Sequence, residues 1–343
     1  MPWELIATAP RTPQLREYEE QPLQPNEVRV KSLLSAPKHG TELRAYRADT
    51  MDDSAPFDGG MRLHTGQPRP PRFPMRLGNM AVGEVTETGA EARRFKVGDI
   101  VFAHLPIRQT HAVNENRLKR LPAGMPYEAA LFADPAGVAL GAVRESRLRV
   151  GDRALVLGLG AIGQMAAQIA RLQGARWVWT SDPIPIRRQR ALDLGADEAL
   201  DPLETDVGLA VKRGSNNVGA DACLETSGSY AALNDAIRAA GYGAAVVSSA
   251  YYIGDASALA LEGEWHRNRL NVVSSRDRSE PMRDHPLWNP RRIDETAFHL
   301  LASGQLKVDG LLHPIVPMEE AAEAYRQIDE EPRRSVKMGV RHA

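Results

Sequence analysis

Polar and apolar residues alternate along Glu27-Val28-Arg29-Val30-Lys31-Ser32-Leu33 and again along Ala81-Val82-Gly83-Glu84-Val85-Thr86-Glu87-Thr88-Gly89. This is the two-residue period of half-buried strands. Phe95-Lys96-Val97-Gly98-Asp99 supplies a turn, and Ile100-Val101-Phe102 a third strand. Residues 127–132 begin a helical pattern, and Asp134-Pro135 opens a second helix, with Asp134 predicted as its N-cap and Pro135 at the first helical position. After the turn Val150-Gly151-Asp152, strand and helix patterns alternate. Strands are expected at 154–157, 177–180, 198–200, 221–225, 244–249 and 270–275, with helices at 164–172, 187–194 and 230–240. That alternation predicts a doubly wound parallel sheet.

The tail reads as a helix over 292–303, an extended segment over 311–316, a helix over 318–328 and a strand over 336–340. These exceed what the parallel sheet needs, so the tail is expected to return to the β-rich N-terminal part. The predicted division is 1–124 with 289–343 returning to it, and 125–288 as the parallel-sheet domain. Residues 47–74 are rich in Pro, Gly, Asp and Arg; such a long connection reads equally as a binding loop or as a surface insertion.

The apolar run Ala154-Leu155-Val156-Leu157 ends in Gly158-Leu159-Gly160-Ala161-Ile162-Gly163. In a strand–turn–helix context, this G-x-G-x-x-G predicts a dinucleotide site. Gly158 permits the tight turn, Gly160 the approach of a pyrophosphate, and Gly163 close packing of helix on strand. Ala161 and Ile162 complete the turn at the helix N-terminus, where free amides favour negative charge. The next apolar run ends at Asp182, a carboxylate placed to accept hydrogen bonds from a ribose and to repel a 2′-phosphate. NAD is therefore expected over NADP, although Arg187, Arg188 and Arg190 lie close by.

The chain has 343 residues, 25% charged and 43% hydrophobic, enough for two domains with their own cores. A net charge of -1 offers no general attraction to nucleic acid or to anionic membranes. Met1-Pro2-Trp3-Glu4 lacks the regions of a signal peptide and no run approaches membrane-spanning length, so a cytoplasmic protein is expected. The single cysteine, Cys223, excludes an intrachain disulfide and a multi-cysteine zinc site.

With Gly78-Asn79-Met80-Ala81-Val82-Gly83-Glu84-Val85, Phe95 to Asp99, Val150-Gly151-Asp152-Arg153, the glycine turn, Asp182 with Arg187, Gly195-Ala196-Asp197 and Glu319 to Tyr325 in order, the chain resembles the medium-chain dehydrogenase/reductase superfamily nearly end to end. The resemblance implies a GroES-like β-rich catalytic domain, a Rossmann domain, a nicotinamide between them, and a homodimer. It also implies that Ser227 and Ser249 contact the cofactor, and that Ser275, Arg276 and Arg278 face nicotinamide or substrate.

The departures from zinc-containing members are specific. Pro37-Lys38-His39 stands where they place a Cys, Asn79-Met80 where they place His-Glu, and of the ligand positions only Asp134 matches. One carboxylate cannot replace three protein ligands, so no metal is expected. Lys38, His39 and Asp134 become the candidate catalytic residues, an ammonium or imidazole taking over the polarising or proton-accepting role. Each also has a plain reading, as a loop lysine, a surface histidine and a helix cap. Glu42, Tyr46, Asn79, His104 and Arg276 are candidate substrate contacts. The function expected is a zinc-independent, NAD-dependent dehydrogenase acting on a secondary alcohol or ketone of a polar, sugar- or polyol-like small molecule. Alternatives are a quinone or enoyl reductase and a catalytically silent NAD-binding sensor.

Overall fold

The structure, a computed structural model, describes residues 1–48, 57–66, 72–276 and 285–343. Its first stretch holds β1 (Trp3–Ala9), β2 (Thr12–Glu17), β3 (Glu27–Ala36), α1 (His39–Arg47), β4 (Phe57–Asp58), β5 (Leu63–His64), β6 (Met75–Arg76), β7 (Met80–Thr88), β8 (Ile100–Ala103), β9 (Thr110–Asn114), β10 (Lys119–Arg120) and α2 (Tyr127–Ala130). Then come α3 (Ala133–Glu145), β11 (Arg153–Leu157), α4 (Ala161–Leu172), β12 (Trp177–Ser181), α5 (Pro185–Asp193), β13 (Glu198–Leu200), α6 (Val207–Gly214), β14 (Ala220–Glu225), α7 (Tyr230–Ala239), β15 (Ala240–Ser248), β16 (Asn271–Ser274) and α8 (Pro290–Ala302). The tail supplies β17 (Leu312–Pro317), α9 (Ala321–Glu330) and β18 (Lys337–Arg341).

Two compact units result. One comprises Met1–Leu131, Leu312–Pro332 and Lys337–Ala343, the other Phe132–Leu311 and Arg333–Val336. In the first, a sheet of order β10-β8-β7-β3-β18-β17 takes β9 as a further partner of β3, and β2-β1-β6 form a smaller sheet. The tail strands thus do join the N-terminal sheet, through the pairing of β18 with β3 at Val340↔Ser35 and Arg341↔Leu34. The alternation in β3 is a one-sided burial: Val28 and Val30 point into a core with Val85, Val101 and Val113, and Lys31 points out.

The second unit is a parallel sheet of order β13-β12-β11-β14-β15-β16, with the strand order reversing between β11 and β14. Its central strands are covered on both faces, and Leu155, Val156, Cys223, Leu224 and Val246 are fully buried. Each such side chain contributes about 1.5–3 kcal/mol on burial. Trp177 and Trp179 lie on one face of β12 and stack at 4.3 Å. No helix among the described residues is long and apolar enough to cross a membrane.

Several expectations shift. Residues 289–311 belong with the second unit, because α8 packs on α3, and the division falls at Phe132. Asp134 is not an N-cap: α3 starts at Ala133 after Phe132, leaving Asp134 and Pro135 within its first turn. The helix α6, capped by the Asp206 side chain on the Leu209 amide, was not foreseen. Within 47–74, the described residues form the short hairpin of β4 and β5; 49–56 and 67–71 lie outside them.

Candidate active site

The glycine turn follows from the end of β11. Gly158 has φ +84°, and a Cβ there would meet the Ser227 backbone nitrogen at 2.7 Å. A Cβ on Gly163 would overlap the carbonyl oxygen of Gly158, so only glycine lets α4 pass this close to the strand. Gly160, which precedes α4, is different: no protein atom lies within 4 Å of where its Cβ would be. Ala161 and Ile162 begin the helix beside that open room. Open room over a helix N-terminus fits the pyrophosphate of a dinucleotide.

Asp182 supports the turn from below. It is 3% exposed, its Oδ2 accepts the Leu159 amide at 2.6 Å and its Oδ1 the Ile184 amide at 2.8 Å. The Arg187 guanidinium is 3.9 Å from Oδ2 and donates through Nε to the Ser335 carbonyl at 3.0 Å. Burial pushes the Arg187 pKa down, and the Asp182 charge pulls it back up. Arg188 donates to the Asp182 carbonyl at 2.7 Å. The carboxylate that was expected to meet a ribose therefore also fixes the Leu159 and Ile184 backbones, and all three nearby arginines are committed to protein groups, Arg190 to Asp193 at 3.0 Å.

The ends of β14, β15 and β16 lie at the same carboxyl edge of the sheet. Ser227 is exposed there, above Gly158. The Ser249 hydroxyl is buried and has no hydrogen-bond partner among the described residues. The Ser275 amide donates to the Ser248 carbonyl at 2.6 Å, and Arg276 is exposed; Arg278 lies outside the described residues. Sequence reasoning missed Glu225, the last residue of β14, whose fully buried carboxylate gathers Ser227, Gly228 and Tyr252. Its partner Tyr252 lies beyond the next strand, so no local pattern joins them.

In the first unit, Lys38 precedes α1 with an extended backbone and is partly buried. His39 opens that helix, and its Nε2 accepts the Met338 amide at 2.9 Å. Next to them the buried Lys337 ammonium donates to the Pro37 carbonyl at 2.6 Å. The strand β18 thus grips the Pro37-Lys38-His39 turn at two consecutive residues. Asn79 and His104 do come together, with His104 Nδ1 3.2 Å from Asn79 Oδ1.

Two candidate substrate contacts turn out otherwise. Tyr46 is fully buried, edge-on to Tyr325 at 5.0 Å, and desolvation raises its phenol to about 12. It sits on the inward face of α1 and is a core residue. Glu42 uses Oε1 to hold the Gly78 amide at 2.9 Å and the Tyr325 hydroxyl at 2.7 Å. Burial raises its pKa in spite of those donors. It ties α1 to the β6–β7 connection and to α9. Asp134 lies in the other unit, in the first turn of α3.

Among the described residues, no group of three or more His, Cys, Asp or Glu side chains could hold a metal ion. Cys223 is fully enclosed, its thiol pushed up to about 12 by burial.

The family described as "Alcohol dehydrogenase GroES-like domain" matches residues 55–156, and that described as "Zinc-binding dehydrogenase" matches 161–282. The D-guloside 3-dehydrogenase of Escherichia coli (strain K12) is 40% identical over an aligned length of 347 residues, covering 98% of this chain and 99% of that protein. The chain belongs to the zinc-type dehydrogenases of the medium-chain dehydrogenase/reductase superfamily. Within this superfamily it is also similar to the (R,R)-butanediol dehydrogenase of Bacillus subtilis (strain 168), 32% identical over 48% of this chain and 55% of that one. The crystal structure of 2R,3R-butanediol dehydrogenase from Bacillus subtilis matches its fold with a TM-score of 0.77 at 22% identity, covering 99% of both chains. The residues described do not supply the ligand set of the zinc that the family description implies, and the chemistry below uses none.

Proposed function

We propose that this dehydrogenase is zinc-independent and NAD-dependent, and that it oxidises a secondary hydroxyl of a sugar or glycoside or reduces the matching ketone. The observation that carries the reading is the glycine turn, open above Gly160 and buttressed by the Asp182 carboxylate. The full-length similarity to a D-guloside 3-dehydrogenase supports a pyranoside, with oxidation at the ring C3 hydroxyl.

Bound NAD supplies the hydride acceptor. The amides at the start of α4 would hold its pyrophosphate, and Asp182 at the end of β12 would accept from the adenosine ribose and disfavour a 2′-phosphate. We assign Lys38, at the position where the family resemblance places a zinc ligand, the role of polarising the substrate oxygen, taking up the alcohol proton or stabilising the alkoxide. The His104–Asn79 pair is assigned to orient the sugar hydroxyls. A homodimer is the assembly that the family resemblance supports, and light scattering tests it.

The test of function is a screen of methyl glycosides, polyols and 2,3-butanediol with NAD and NADP, read at the absorbance of the reduced nicotinamide, with the keto position of any product assigned by NMR. A glycoside turned over to its 3-keto form supports the reading. Coenzyme binding with no turnover of any class would point to a silent sensor instead. Elemental analysis is expected to find no stoichiometric zinc; about one zinc per chain overturns the metal-free assignment.

A further inference from the structure

Glu225 ends β14 beside the point where the strand order reverses, and it is fully buried. Four donors converge on its carboxylate. The Ser227 amide donates to Oε1 at 2.7 Å, the Ser227 hydroxyl donates to the same oxygen, and the Gly228 amide reaches both oxygens at 3.2 Å. The fourth is the Tyr252 hydroxyl, from the segment after β15, which donates to Oε2. The Tyr252 ring leans on Tyr230 of α7 at 5.0 Å.

The segment held in this way is the one that touches the glycine turn. Thr226 donates through its hydroxyl to the Gly158 carbonyl at 2.7 Å, and the Ser227 backbone fills the space where Gly158 would carry a Cβ. On the far side, a Cβ on Gly228, at φ +78°, would lie 2.5 Å from the Tyr251 carbonyl. Three backbones are therefore layered at the carboxyl edge, the turn, residues 226–228 and residues 250–252, with one buried anion joining the second to the third. Ser249, with its unpartnered buried hydroxyl, donates its amide to the Glu225 carbonyl at 2.9 Å.

We propose that Glu225 and Tyr252 are a positioning pair for the coenzyme, which touches neither of them: the carboxylate, bolted by the tyrosine, holds residues 226–229 against the glycine turn and keeps the cradle in shape. This rests on the nicotinamide-coenzyme reading above. Only the ionised carboxylate can accept from all four donors, and a proton on it would set a donor against donors. Burial raises the Glu225 pKa, while the Ser227 and Tyr252 donors work against the rise. The in-register neighbours, Leu157 on β11 and Ser248 on β15, carry no charge. Among the described residues, titratable groups near it include Tyr252, Tyr230 behind that ring, and Cys223 further back in the strand. Loss of the Tyr252 hydroxyl therefore shifts the carboxyl further upward.

The experiment titrates the full chain with NADH, and separately with NADPH, by nicotinamide fluorescence from about pH 5 to 9. Wild type is compared with Tyr252→Phe, Glu225→Gln and Ser227→Ala, with thermal melting as the check on folding. Tyr252→Phe should bind about tenfold more weakly, the size of a lost hydrogen bond to a charged group, with its acidic fall-off at higher pH than wild type. Ser227→Ala should move the fall-off the same way, and Glu225→Gln should abolish it. A folded Tyr252→Phe or Ser227→Ala chain with unchanged affinity and fall-off overturns the pair. So does an equal loss at every pH in all variants, which would mark general loosening. If the wild type binds neither nucleotide, the coenzyme reading itself falls and this inference with it.

Discussion

The Met338 amide donates to Nε2 of His39 at 2.9 Å, so the neutral imidazole carries its proton on Nδ1 and its basic lone pair is already engaged. Of the two adjacent candidates for the proton-handling group, this singles out Lys38. Lys38→Met is expected to lower kcat by roughly 10²–10⁴-fold, the contribution of a positioned acid–base group, with NAD affinity almost unchanged. His39→Gln, whose amide oxygen can still accept from Met338, should leave most of the activity. Steady-state kinetics with separate coenzyme titrations decide it; a larger loss in the histidine variant would reverse the assignment.

The glycines of the turn separate fold from ligand. Gly163→Ala forces a Cβ onto the Gly158 carbonyl, an overpacking that costs about 1–3 kcal/mol and lowers Tm by several degrees. Gly160→Ala meets no protein atom within 4 Å and should melt like wild type, yet bind NAD much more weakly. Equal coenzyme affinity in Gly160→Ala and wild type would show that the open space is not a phosphate cradle.

Asp182 combines selectivity with support. Asp182→Ala should narrow the preference for NAD over NADP by about 1–3 kcal/mol, the size of a lost charged hydrogen bond. Because it also strands the Leu159 and Ile184 amides, the variant should lose stability and bind both coenzymes less well. A wild type that prefers NADP would contradict the assignment directly.

Two buried histidines of the first unit set an acid limit. Burial holds His111 down at about 3 and His342 at about 4, each paired with a serine hydroxyl, Ser32 and Ser35. Unfolded, both take a proton near 6.5, so below that value the unfolded chain binds more protons than the folded one. Stability is then full above 6.5 and falls as pH drops toward 4, each histidine adding a slope of about 1.4 kcal/mol per pH unit. His342→Gln should flatten this dependence in urea unfolding, and an unchanged slope would count against it.

The parallel sheet was legible because burial on both faces leaves the apolar runs 154–157 in β11 and 222–224 in β14, and the glycine turn is a local signal. The tail strand β18 was legible too, as an element the parallel sheet had no place for. What escaped was set by long-range packing. Tyr46 looks like a polar loop residue until Tyr325, far along the chain, covers it. Asp134 has the composition of a cap, but Phe132 already adopts the capping position, one residue ahead of the helix. Glu225 reads as an ordinary strand end, since the groups that make it an anchor arrive only when Tyr252 folds back.

The pairing of β18 with β3 means that the first strands made cannot be completed until almost the last residues have been added. During synthesis the parallel-sheet unit, encoded nearly without interruption, has all but its last few residues while the other still displays the open edge of β3. Order of assembly therefore runs against order of translation. A ribosome that stops just short of residue 337 would release a chain with a nearly finished parallel-sheet half and a sheet lacking β18, the strand through which β17 joins it.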